Sequence, residues 1–90
     1  MEKLYRFQAD FQRYGNLSGL FIADEITVQE AIGKELYFGE VLGKHSDIFL
    51  TLQEDNIEVV TDDQEFIAKA KTYGLAHNGY NPLYHLCNDE

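Results

Sequence analysis

Apolar and polar residues alternate along several short stretches of this chain. In the clearest stretch, residues 5–11, the rings of Tyr5, Phe7 and Phe11 alternate with charged and amide side chains. A period of two places these rings on one face of a β-strand and the polar residues on the other. Similar alternation, or a short apolar run, predicts four further strands, at residues 19–23, 36–42 and 48–52 and around Ile57 and Val59. Gly15 indicates a hairpin turn between the first two strands.

Two segments have the spacing of amphipathic helices. In the first, a capping box starts at Thr27, and Gly33 predicts the helix end. The second helix begins at Thr61 or Asp62, since either register gives a capping box, and it ends at Gly74. The buried stripe of this second helix is predicted to contain Phe66, Ile67, Ala70 and Tyr73.

The predicted elements follow the order β-β-α-β-β-β-α, and Asn81-Pro82 then indicates a C-terminal helical turn. Gly39 interrupts the third strand, which is typical of a β-bulge or of a close approach by another backbone. Short connections between strands favour antiparallel pairing. We therefore predict an α+β fold for residues 1–90, a single small domain. It has a mainly antiparallel five-stranded sheet, two helices on one face, and the C-terminal turn.

Negative charge is concentrated between residues 35 and 68. This stretch has nine carboxylates against one base, Lys44, for a net charge of −8, whereas the whole chain has a net charge of −9. Such a surface repels nucleic acid and anionic membranes and attracts basic surfaces. The predicted partner-binding residues are Glu35, Glu40, Asp47, Glu54, Asp55, Glu58, Asp62, Asp63 and Glu65.

This charge distribution leads to the main functional hypothesis. The chain is interpreted as a non-enzymatic interaction module, and as a small inhibitor, that docks on a basic protein surface. In a sharper version that surface normally holds DNA or RNA, and the carboxylates occupy the positions of phosphates. In size, charge and lack of motifs the chain resembles the small acidic proteins with which viruses and mobile elements inhibit host factors. That likeness is one of type and rests on no particular residues.

The number of cysteines indicates the redox compartment in which the protein resides. Cys87 is the only cysteine, so an internal disulfide cannot form, and a small domain without disulfides is typical of a reducing compartment. The N-terminal residues do not have the apolar core of a signal peptide, and no apolar run reaches the length of a membrane span. We therefore expect a cytoplasmic protein, with a homodimer left open as its oligomeric state.

An alternative hypothesis is a protein that binds a small anionic ligand or a nucleotide, with a pocket that a dimer interface could complete. Lys44 and His45 would hold the anionic group, and Tyr80 or Tyr84 would stack on a ring. The segment 43–46 is not a phosphate-binding loop of the known type. His45 separates the lysine from Ser46, and a strand rather than a helix follows.

Other residues with catalytic or metal-binding chemistry do not match a known site. The adjacent His-Ser-Asp at residues 45–47 cannot form a hydrolase triad, because neighbouring side chains of an extended segment point to opposite sides. His77, His85 and Cys87 match no common zinc spacing, and a tetrahedral site needs a fourth ligand. The carboxylates at residues 53–64 lack the spacing of a calcium loop. We expect no enzymatic activity, no metal and no cofactor.

Overall fold

The computed structural model describes residues 1–12, 15–42 and 47–86. Within these ranges the strands are β1 (Glu2–Asp10), β2 (Asn16–Asp24), β3 (Glu35–Gly39), β4 (Ile48–Thr51), β5 (Ile57–Thr61) and β6 (His77–Gly79), and the helices are α1 (Glu25–Ala31) and α2 (Gln64–Thr72). Two 3₁₀ turns cover Glu54–Asn56 and Pro82–His85. The predicted α+β class, the antiparallel pairing and the C-terminal helical turn are confirmed.

The strands form two sheets, whereas the sequence predicted a single sheet of five strands. The main sheet has four antiparallel strands in the order β5-β1-β2-β6, and β3 pairs with β4 in a separate two-stranded sheet. The sequence prediction did not include β6, and it treated Asn78-Gly79 as a turn. Because α1 separates β2 from β3, the chain crosses the face of the main sheet, and β3 packs on that face instead of extending an edge.

The hydrophobic core lies between the inner faces of the two sheets. Pairing of Tyr5 with Phe21 and of Phe7 with Gly19 puts the odd-numbered residues of β1 on the inner face of the main sheet. Phe7 stacks on Phe38 of β3 with ring centroids 5.9 Å apart. The predicted bulge at Gly39 is confirmed by a register shift in the β3–β4 pair. The core comprises Tyr5, Phe7, Ala9, Leu17, Phe21, Ala23, Val28, Ala31, Leu36, Phe38, Ile48 and Leu52.

Helix α1 begins earlier than the capping-box pattern predicted. The N-cap is Asp24, whose carboxylate accepts a hydrogen bond from the Ile26 backbone N–H at 2.9 Å, and the prediction of Thr27 was wrong. Strand β2 runs directly into the helix, so the last strand residue is also the cap. The predicted helix end is confirmed, because Gly33 follows the C-cap with φ of +93°.

Helix α2 packs against the rest of the chain through fewer buried residues than the sequence predicted. Ile67 and Ala70 are buried, whereas Phe66 and Tyr73 are 49% and 75% exposed, so half of the predicted stripe was wrong. The two buried residues lie outside the main core cluster. An ion pair from Lys71 to Glu2 ties α2 to the other side of β1 from the core rings. The helices therefore do not share one face of the sheet as predicted.

The N-terminus of α2 allows a direct test of the capping geometry. Asp63 is the N-cap, one residue beyond the predicted Asp62, and its carboxylate accepts hydrogen bonds from the backbone N–H groups of Glu65 and Phe66 at 3.0 and 3.4 Å. Asp63→Ala should lower the free energy of unfolding by about 1 kcal/mol in urea denaturation, because these N–H groups lose their acceptor. Asp63→Asn keeps an acceptor and Asp62→Ala leaves the cap intact, so each should cost less than about 0.5 kcal/mol. Equal losses for Asp62→Ala and Asp63→Ala would contradict the assignment.

Candidate protein-interaction surface

All nine carboxylates predicted to bind a partner are exposed. The structure divides them into two groups by position in the chain. Six lie on the segment that runs from the 3₁₀ turn before β5 to the start of α2, and three lie in or next to the strands of the β3–β4 hairpin. The first group, here called the acidic edge, consists of Glu54, Asp55, Glu58, Asp62, Asp63 and Glu65. The second group, the hairpin carboxylates, consists of Glu35, Glu40 and Asp47.

The acidic edge follows β5 along its whole length. Glu54 and Asp55 lie in the 3₁₀ turn that leads into β5, and Glu58 lies in the strand. The other three follow at the start of α2. Because β5 is an edge strand of the main sheet, no other strand of that sheet covers this side. The six carboxylates therefore follow one another along a continuous exposed segment that includes this edge strand, and charges on an edge strand also discourage unwanted strand pairing.

The charges of the acidic edge are only partly neutralised within the chain. Glu58 accepts a hydrogen bond from the Arg6 guanidinium at 2.6 Å, an ion pair between the paired strands β5 and β1. Asp63 is occupied as the α2 N-cap. Within the part of the chain that the structure describes, the side chains of the other four, Glu54, Asp55, Asp62 and Glu65, make no hydrogen bond or ion pair. These four carboxylates are available to an external partner.

Two exposed aromatic rings lie on the same hairpin, and one of them is hydrogen-bonded to Asp47. Tyr37 and Phe49 are paired across β3 and β4, and their ring centroids are 4.8 Å apart with an interplanar angle of 37°. The Tyr37 hydroxyl donates a hydrogen bond to the Asp47 carboxylate at 3.2 Å. This bond and the negative charge of Asp47 raise the pKa of Tyr37 above its ordinary value. A tyrosine at its ordinary pKa of 10.0 is already protonated at neutral pH, and this shift extends the range over which Tyr37 remains a hydrogen-bond donor to higher pH.

Sequence reasoning did not single out the Tyr37–Phe49 pair or the Arg6–Glu58 pair. A signal for Phe49 was present, because the alternation of Ile48 and Leu50 with Phe49 places a large ring on the solvent side of β4. Its contact with Tyr37 depends on the register of the hairpin, which local patterning does not give. Arg6 and Glu58 are 52 positions apart in the chain, so only the β1–β5 pairing reveals their contact.

The residues of the alternative ligand site are only partly described. Lys44 and His45 lie outside the described residues, as does Cys87 of the candidate zinc set. Tyr80 is half-buried and packs edge-on against Phe38, with ring centroids 5.9 Å apart, so it covers the core. Tyr84 is 71% exposed and contacts His77. The two tyrosines thus face different neighbours, and ligand binding stays a prediction.

The outer face of the main sheet has a shallow polar groove. It encloses about 460 Å³ and is lined mainly by polar residues of β1, β2 and the first 3₁₀ turn, including Gln8, Asp10, Ser18 and Asp55. Among the described residues, no three His, Cys, Asp or Glu side chains are grouped as metal ligands would be. No helix in the described ranges is both long enough and apolar enough to span a membrane.

Comparisons with protein-family models, with curated proteins and with solved structures give no significant match to this chain.

Proposed function

We propose that this protein is a non-enzymatic interaction module, a small inhibitor that docks through its carboxylates on a basic surface of a partner protein. The observation that carries the proposal is the acidic edge, a segment with six exposed carboxylates that includes β5, the edge strand of the main sheet. Four of them make no hydrogen bond or ion pair within the described residues, and of these Asp62 lies near enough to Lys3 to help raise the pKa of that lysine. Opposite potentials on two surfaces speed association and select the partner.

The length of the acidic edge suits a partner surface that normally binds nucleic acid. The segment from Glu54 to Glu65 extends roughly 25 Å when a 3₁₀ turn, a strand and the start of a helix are added end to end. The four carboxylates that make no hydrogen bond or ion pair within the described residues give about one charge per 6 Å over this length, against one phosphate per roughly 3.4 Å of a nucleic-acid strand. A basic groove built for a phosphate backbone would therefore meet negative charge at about half that density over the length of several nucleotides.

A cytoplasmic location belongs to the same proposal. The chain contains one cysteine, and a domain stabilised by a hydrophobic core instead of disulfides suits a reducing compartment. Cytoplasmic nucleic-acid-binding proteins would then be accessible partners.

Affinity capture at two salt concentrations tests the proposed function. The protein, immobilised through a terminal tag, is exposed to a lysate of the cells that produce it in about 0.05 M and about 0.5 M NaCl. We expect basic proteins to be retained at low salt and released at high salt, because screening weakens contacts between exposed charges. Added double-stranded DNA should displace a partner whose basic surface normally binds nucleic acid.

The control for capture is a protein with four edge carboxylates replaced by amides, Glu54→Gln, Asp55→Asn, Asp62→Asn and Glu65→Gln. This variant keeps both the Arg6–Glu58 pair and the Asp63 cap. It should retain much less of the same partner. Equal retention by the variant, or retention that ignores salt, would refute docking through the acidic edge.

A further inference from the structure

The outward face of the β3–β4 hairpin has two aromatic rings that are not part of the hydrophobic core. Tyr37 is 43% exposed and Phe49 is 54% exposed. Core contacts of the hairpin are made from its opposite face by Leu36, Phe38 and Ile48, which are buried. Exposed aromatic side chains of this kind are enriched where proteins bind partners, because a ring offers a large contact area at a low cost in conformational entropy.

Carboxylates flank the aromatic pair along the hairpin. Glu35 lies two positions before Tyr37 on β3 and therefore on the same face. Asp47, which immediately precedes β4, accepts the hydrogen bond from the Tyr37 hydroxyl. One side chain of a partner can thus contact both a ring face and a carboxylate.

The side chain that best satisfies both groups is arginine. Its guanidinium is planar, stacks on aromatic faces, is only weakly hydrated and makes paired hydrogen bonds to a carboxylate. The lysine ammonium is more strongly hydrated and has no plane with which to stack. We propose that Tyr37, Phe49, Asp47 and Glu35 form a docking site for an arginine of the basic partner. This inference rests on the proposed function and identifies the chemistry at one point of the contact.

A second copy of the chain fits this site less well than a different protein does. The chain has a net charge of −9, so two copies repel each other. One of its two arginines, Arg6, is already paired with Glu58. Charge complementarity therefore favours a basic partner.

Two short peptides test the inference, one of alternating arginine and glycine and the other of alternating lysine and glycine. Each is titrated into the ¹⁵N-labelled protein in low-salt buffer and followed by NMR. We expect the arginine peptide to bind about threefold to tenfold more tightly than the lysine peptide, because only the guanidinium gains the stacking contact. The largest shifts from the arginine peptide should be at Tyr37 and Phe49.

Matched variants show whether the ring is responsible. Phe49→Leu keeps an apolar side chain but removes the ring, and it should abolish the preference for arginine. Phe66→Leu is the control, because Phe66 is exposed to a similar extent on α2, and it should leave the preference intact. Asp47→Asn provides a second test that does not alter an aromatic ring. It keeps an acceptor oxygen for Tyr37 but removes the charge, and it should weaken arginine binding at least threefold.

The outcomes separate this inference from the proposed function. If both peptides bind equally in a salt-sensitive way and Phe49→Leu behaves like the unaltered protein, acidic docking stands and the arginine site is overturned. Equal loss of preference in Phe66→Leu would also overturn it. Failure of both peptides to bind at low salt would remove both proposals. If sedimentation shows that the protein self-associates without peptide, and NMR chemical-shift changes with protein concentration fall on this face, the face binds a second copy instead.

Discussion

Gly19→Ala is expected to lower the free energy of unfolding by about 3 kcal/mol, because the added methyl group has no space. A Cβ at position 19 would lie 2.9 Å from the Asn78 carbonyl oxygen and still closer to the backbone N and O atoms of Tyr80. These neighbours are backbone atoms, so no side-chain rotation relieves the overlap. The β2–β6 pair and the segment after it must move apart. Urea denaturation, with amide hydrogen exchange at β6, measures the loss.

The control for this substitution is Ser18→Ala, at the adjacent position of the same strand. Its side chain is exposed, so it should change the free energy of unfolding by less than about 0.5 kcal/mol. Alanine also lowers the conformational entropy of the unfolded chain, which stabilises a glycine-to-alanine variant by at most about 1 kcal/mol. This gain is too small to turn the expected loss of stability into an increase. A Gly19→Ala protein as stable as the unaltered protein would show that β6 does not approach β2 this closely.

The same close approach explains why β6 could not be predicted from the sequence. All three of its residues, His77, Asn78 and Gly79, are exposed, so alternation of buried and exposed positions gives no signal there. Asn-Gly favours positive φ, and Gly79 does adopt φ of +79°, which is typical of a turn. What makes the segment a strand is the facing Gly19, which leaves room for a second backbone. That complementarity is visible only once both segments are placed.

Strand β1 shows the opposite case. Its alternation predicted buried rings at Tyr5 and Phe7, and both are buried. The signal was reliable because one face of the main sheet packs on the core while the other is exposed over most of its length. For α2 the helical spacing was correct, but only Ile67 and Ala70 reach a packing surface. Hydrophobic spacing shows which residues share a helix face, and the tertiary packing decides how wide a stripe is covered.

The candidate surface could be predicted only where its residues are close to one another in the sequence. The acidic edge is a continuous segment, so its members lie near one another wherever the segment is exposed. The Tyr37–Phe49 pair depends on strand register, and the neutralisation of Glu58 depends on a strand pairing across the chain. The sequence therefore indicates how much charge this surface carries. Which charges remain available follows from the packing.

Replacing Glu54, Asp55, Asp62 and Glu65 by their amides is expected to weaken binding of the alternating lysine–glycine peptide about thirtyfold. Each lost contact between exposed charges is worth about 0.5 kcal/mol, so four correspond to about 2 kcal/mol. The fold should be retained, because the substitutions leave the core and the Asp63 cap intact and reduce repulsion among like charges. Isothermal titration calorimetry at low salt measures the affinity, and thermal unfolding checks the fold.

Two single variants separate position from net charge. Glu54→Gln removes one charge from the acidic edge, whereas Glu30→Gln removes one exposed charge from α1. If the acidic edge is the binding surface, Glu54→Gln should lose about twofold in affinity and Glu30→Gln should leave the affinity unchanged. Equal losses would mean that the peptide responds to net charge alone. The charges on β5 and α2 would then serve solubility and protection of the sheet edge, since net charge far from zero keeps a protein soluble and charged edge strands resist pairing.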